Sequence, residues 1–231
     1  MKKLIILLLF VSVNLAFGQL QVIQKSYPYN GQKLDFDMDF GTEVIIKSWD
    51  KNEISVKLTY VINEGKQNDL MDLKINNSTG LLEIDVDVEA KKSTQNTQCC
   101  CVGRDVNHRS NGKKGNRLCA EIKVEIFLPR KSDIKVKTIL ARVFIDGFES
   151  NLEVETVTGD IILNWSEKLG ADLLMRSTIG AIYTDFELQT QSKKGLPLIS
   201  GHKFDAKYKN GRFELRLKTV TSDISFKKAN T

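Results

Sequence analysis

Apolar and polar residues alternate along much of the chain. Leu34, Phe36, Met38 and Phe40 step by two with Asp35, Asp37 and Asp39 between them, and Ile54-Val56-Leu58, Leu82-Ile84-Val86-Val88 and Ile122-Val124-Ile126-Leu128 repeat the pattern. A period of two places every second side chain on one face, so each run predicts a half-buried strand. Helical periodicity is weak, and its best stretch, Asp69 to Ile75, amounts to about two turns. The expected class is all-β.

A longer period governs the C-terminal half. With Ala141, Gly159, Gly180, Gly201 and Ser222 in one column, the spacings are 18, 21, 21 and 21 residues, and the segments read IKVKTILARVFI, LEVETVTGDIIL, LLMRSTIGAIYT, KGLPLISGHKFD and LRLKTVTSDISF. The fourth is a poor copy. In the other four, a Thr or Ser stands three positions before the small residue, and the apolar phase slips by one across it: Leu152 and Val154 precede the slip, Ile161 and Leu163 follow it. A slip repeated at one place predicts a corner between two short strands. A translational repeat of this kind suits a chain that stacks its turns in parallel, so a parallel β-helix or β-roll with ~21-residue rungs is expected, with an antiparallel β-sandwich as the alternative. Stacking in chain order would align Lys135 with Glu153, Lys137 with Glu155, and Arg176 beside Glu155. Such pairs are each worth about 0.2–1 kcal/mol and favour one register.

The Thr-x-x-Gly-Asp-Ile pattern at Thr156 to Ile161, its variant at Thr219 to Ile224, the strand ending at Pro129, and Phe40-Gly41-x-x-Val44-x-Ile46-x-x-Trp49 resemble the bacterial "putative adhesin" β-strand-repeat family. The resemblance implies an exported, right-handed β-helical domain without established activity. That family has no agreed catalytic residues to carry over.

Composition and charge sharpen this picture. At 231 residues, 41% apolar and 27% charged, the chain can bury a core unaided, and disorder or a collagen-like repeat is excluded. Lys2 and Lys3, the apolar stretch Leu4 to Val13, and Ala16-Phe17-Gly18 together predict a cleaved secretory signal over residues 1–18. Its loss lowers the net charge from +5 to +3. The expected organisation is then an N-terminal strand region (19–90), a basic Cys-containing insertion (91–119) and the repeat region (120–231), with no later membrane span. The mature protein belongs in the periplasm, at the cell surface or outside the cell.

All four cysteines fall in the insertion: Cys99, Cys100, Cys101 and Cys119. Export favours at least one disulfide between the triplet and Cys119. A thiolate site that also used His108 would lack the C-x2-C spacing that zinc prefers, so no metal and no cofactor is expected. Lys91, Lys92, Arg104, Arg109, Lys113, Lys114 and Arg117 oppose only Asp105 there, a local +6 against −3 for the rest of the mature chain. A cationic loop of this kind suits surface polysaccharide, lipid headgroups or an acidic envelope protein. Nucleic acid is not expected, because the loop has no aromatic residue for stacking.

After the phase slip, Phe144, Ile162, Tyr183 and Phe204 form an apolar column on the outward side of the repeat. It predicts either a surface covered by the N-terminal strands or a loop, or one that offers rings, notably Phe144 and Tyr183, to a sugar or other partner. Catalysis finds little support. The column through Asp160 reads Arg142, Asp160, Ala181, His202, Asp223, an ion pair and no acidic dyad. The expected function is a non-catalytic surface or envelope interaction module. Binding of anionic glycans or lipids through residues 91–118 is the alternative, and a β-helical carbohydrate-active enzyme comes third.

Overall fold

The computed structural model describes residues 20–89, 92, 104–107, 117–190 and 202–229. The segment 1–18, Cys99, Cys100, Cys101, Lys91, Arg109, Lys113 and Lys114 lie outside them. In chain order the strands are β1 (Gln21–Pro28), β2 (Lys33–Met38), β3 (Glu43–Trp49), β4 (Glu53–Ile62), β5 (Met71–Ser78), β6 (Leu81–Val88), β7 (Arg104–Asn107), β8 (Arg117–Pro129) and β9 (Ile134–Thr138). They continue with β10 (Arg142–Asp146), β11 (Leu152–Thr156), β12 (Ile161–Trp165), β13 (Ala171–Ser177), β14 (Ile182–Thr184), β15 (Gln189–Thr190), β16 (His202–Tyr208), β17 (Phe213–Thr219) and β18 (Ile224–Lys228). The stretch with weak helical periodicity is a short 3-10 turn, Asn68–Leu70, running directly into β5. Its pattern was too short to outweigh pairing of β5 with β6.

Two mixed sheets face one core. The first runs β1-β4-β8-β3-β10-β12-β18-β14, with β7 beside β8, and the second runs β15-β16-β13-β17-β11-β9-β2-β6-β5. The alternating runs behave as their pattern requires: Leu34, Phe36 and Met38 of β2, Leu82 to Val88 of β6 and Ile122 to Leu128 of β8 all bury their apolar members. Trp165 and Phe226 from the first sheet and Phe36 and Met38 from the second belong to a single buried cluster.

The repeated corner has a structural cause. Thr138, Thr156, Ser177 and Thr219 are all buried, and their hydroxyls serve the turning backbone and one another. The Thr156 hydroxyl accepts from the Gly159 N–H at 3.0 Å and from Thr138 Oγ1 at 3.0 Å, while Ser177 Oγ donates to the Ser222 carbonyl at 2.9 Å. Neighbouring corners approach so closely that a Cβ at Gly159 or Gly180 would collide with the carbonyl of Ala141 or Ser222.

The stacking order overturns the parallel β-helix or β-roll. A solenoid adds each turn to the end of the last. Here β17 lies between β11 and β13, and β18 lies between β12 and β14. The sheets are open and mixed, with β4, β5 and β16 antiparallel to their neighbours. The antiparallel sandwich fares no better, since β3, β10, β12 and β18 pair in parallel. Charge columns misled because either order satisfies them. Lys135 faces Glu153 and Lys137 faces Glu155 as expected, but the other neighbour of Glu155 is Lys218, with Nζ 3.2 Å away, and Arg176 sits one strand further on. The fourth copy, which carries Leu198 in place of the corner hydroxyl, leads into β16, antiparallel to β13.

Candidate functional site

The N-terminal strands extend the sheets and do not cover the outward column. Strand β3 lies beside β10, so Ile45 joins the predicted residues and one outward row crosses the first sheet as Glu125, Ile45, Phe144, Ile162, Ser225 and Tyr183. Phe144 and Ile162 are direct neighbours. Tyr183 is separated from Ile162 by Ser225, because β18 intervenes, and stands about 14 Å from Phe144 by strand spacing. Phe204 is not part of the row. It lies on β16 of the other sheet and packs against the core, while Lys203 and Asp205 beside it are exposed.

Charged ladders flank this apolar strip. On one side Lys123 meets Glu43 at 3.2 Å, and Arg142 meets Asp160 at 3.7 Å, the ion pair expected from the sequence. On the other side Lys47 Nζ lies 5.7 Å from the Phe144 ring centre. Tyr183 is 54% exposed, so its ring is available at the end of the row. The strip can therefore offer aromatic and aliphatic faces with hydrogen-bonding groups on both sides, an arrangement suited to a surface with alternating apolar and polar patches.

Asp160 and Asp223 come closer than chain-order stacking implied. The Asp223 N–H donates to Asp160 Oδ1 at 3.3 Å, and Asp223 Oδ1 accepts from the Ala181 N–H at 2.8 Å. These carboxylates tie successive corners together. His202 lies on β16 in the other sheet, so it leaves that column altogether.

Of the basic residues singled out in the insertion, Arg104 falls in β7, Arg117 opens β8, and exposed Lys92 is paired with Glu89 at 2.7 Å. Cys119 is buried, and its N–H donates to Oδ1 of Asn63 at 2.9 Å.

The larger surprise is on the second sheet. Strand β2 pairs in parallel with β6, placing Asp35 beside Glu83 and Asp37 beside Asp85 on the outward face. With Asp39, Asp87, Lys74 and Lys137 they line a valley of about 650 Å³. Burial, then Asp85, pushes the Asp37 carboxyl above its ordinary range; burial, then Asp87, does the same for Asp39. Acids at every outward position of both runs were legible in the sequence. Their adjacency was not, because about fifty residues separate the strands.

No family model and no curated protein matches the chain. This fold has a solved counterpart. A structure described as a "putative cell adhesion protein" from Clostridium sporogenes matches with a TM-score of 0.56 at 13% identity, covering 91% of this chain and 100% of that one. A "putative adhesin" from Bacteroides fragilis aligns over 90% of this chain and 97% of its own at 11% identity, with a TM-score of 0.33. The first match establishes a shared fold, and its description agrees with the family resemblance read from the sequence. Among the described residues no helix is long and apolar enough to cross a membrane.

Proposed function

We propose that this chain is an exported, non-catalytic interaction module of the cell surface or envelope, working through the outward face of its first sheet. The observation that carries this reading is the row in which Ile45, Phe144 and Ile162 are direct neighbours and Tyr183 follows beyond Ser225, with charged ladders on both sides. A flat strip with aromatic groups favours an extended partner such as surface polysaccharide, which presents apolar ring faces and hydroxyl edges together. The shared fold with a structure described as a "putative cell adhesion protein" supports the same setting. Residues 19–231 then act as one domain carrying the insertion 91–119, whose Lys91, Lys92, Arg104, Arg109, Lys113, Lys114 and Arg117 add a sequence-tolerant attraction to anionic glycan or lipid headgroups.

Retention on immobilised polysaccharide, neutral and anionic, tests both parts. Replacing Phe144 and Tyr183 by Ser is expected to abolish retention on the neutral polymer, whereas deleting residues 91–118 weakens only the salt-sensitive retention on the anionic one. Unchanged retention by both variants would remove the reading.

A further inference from the structure

Across its six central strands the outward face of the second sheet carries a charge pattern that is its own complement, with Lys74 and Lys203 flanking it on the next strand at either side. Its middle row reads, strand by strand, Asp85, Asp37, Lys137, Glu155, Lys218, Arg176. The signs run minus, minus, plus, then minus, plus, plus. Reversed end for end, every sign is inverted. The row beside it repeats the order with Glu83, Asp35, Lys135, Glu153 and Arg216, ending on Leu174, which is 38% exposed. The centre of both rows is the boundary between β9 and β11. There Ile139 and Val157, 37% and 41% exposed, directly follow the ends of β9 and β11.

Pairing within one molecule explains only part of this. Asp35 reaches Lys135 at 3.2 Å and Glu155 reaches Lys218 at 3.2 Å, as alternating ladders should. Further out, Asp37 stands beside Asp85 and Lys218 beside Arg176; the next strand then sets Lys74 beside Asp85 and a further cation, Lys203, beside Arg176. Like charges directly opposite one another destabilise a sheet, so these two pairs cost a lone molecule something, which Lys74 offsets at the acidic side. The face is also open: the side chains of Asp35, Lys135, Glu155 and Lys218 are 35%, 38%, 39% and 52% exposed.

We propose that this face binds a second copy of the same chain, through a twofold axis that runs along the strands between β9 and β11. That rotation lays Lys137 of one copy over Glu155 of the other, Asp37 over Lys218 and Asp85 over Arg176, twice each by symmetry. It also sets Ile139 and Val157 against their counterparts at the axis, where an interface has its driest part. A twofold axis across the strands would instead bring acid to acid and base to base. The six central strands present roughly 500 Å² per copy by strand spacing, less than the ~800 Å² of a standard interface. The pair is consequently weak, fast to form and sensitive to salt.

Sedimentation velocity on the purified protein gives the direct test. A concentration-dependent dimer is expected at about 0.01 M salt, where charges act over about 30 Å, and it should vanish near 1 M, where they act over about 3 Å. Two charge-reversed variants separate this from any general stickiness. The pair Arg176→Glu/Lys218→Glu makes both ends acidic and Asp37→Lys/Asp85→Lys makes both ends basic, so each alone should be monomeric while an equimolar mixture forms a heterodimer. That rescue also shows that both variants are folded. A monomer at low salt, dimers that survive in either variant alone, or a mixture that stays monomeric would each overturn the proposal.

Discussion

At the residue scale, the molecule separates polar groups that hold the fold from polar groups that oppose it. The hydroxyls of Thr138, Thr156, Ser177 and Thr219 are buried because the corner backbone needs partners that water cannot reach. Asp37 belongs to the other kind. Burial and the neighbouring Asp85 raise its pKa in the folded state, with Lys137 only partly offsetting them. A raised carboxyl binds its proton more tightly when folded than when unfolded. The native state therefore gains stability as the pH falls through the raised value, and the gain is complete below the ordinary value of 3.8. Replacing Asp37 by Asn should remove that dependence and increase stability at pH 7. Cross-strand like-charge pairs set the scale at about 0.2–1 kcal/mol. Thermal melts of the two proteins from pH 7 to pH 3 check it, and a variant less stable than the parent at pH 7 would contradict the assignment.

At the element scale, the strand pair β17–β18 is the least expected and most consequential part. Its placement inside both sheets means that β11 and β13, and likewise β12 and β14, touch only through it. It buries Leu215, Leu217, Ile224 and Phe226. At about 1.5–3 kcal/mol for each buried side chain, these four rival the 5–15 kcal/mol that separates folded from unfolded chains of this kind. Truncation after Asn210 should then abolish cooperative urea unfolding and near-ultraviolet dichroism. A chain stacked in sequence order would lose only its last turn and keep both signals. For the alternating runs in β2, β4, β6 and β8 and for the repeated corners, the strand, its core-facing side and the turn were legible, because periods of two and the Thr-to-Gly corner are local; β1 was not read, and β5 overlaps the stretch that read as weakly helical. Strand order was not legible. Leu152 to Thr156 and Phe213 to Thr219 read alike, and any rung can stack on any other with apolar side chains inward, so similarity alone does not say which two are neighbours. The outward row shared this fate: Phe144 and Ile162 met as expected, but Tyr183 was displaced by a strand whose position no local pattern announces.

At the scale of the whole molecule, the basic insertion joins one sheet to the other. It leaves from the end of β6 in the second sheet and returns at β8 in the first, where Cys119 is buried and held to Asn63 through its N–H. Open sheets are not fastened to each other by hydrogen bonds along their rims, so a covalent tie at this crossing would restrict the unfolded chain while leaving the fold undisturbed. We propose a disulfide from Cys119 to the triplet Cys99 to Cys101 for that role. Closing a loop of about 20 residues contributes roughly 3 kcal/mol on the chain-entropy view, and about 2–4 °C per kcal/mol follows for a chain of this length. Reduction should lower Tm by about 6–12 °C. It is a cleaner test than Cys119→Ser, which would also disturb a buried site. The reduced protein should keep the dichroism of the oxidised one at room temperature, because the single core formed by both sheets remains. A Tm unaffected by reductant, or peptide mapping that finds Cys119 as a free thiol in the oxidised protein, would show that the two sheets are held by that core alone.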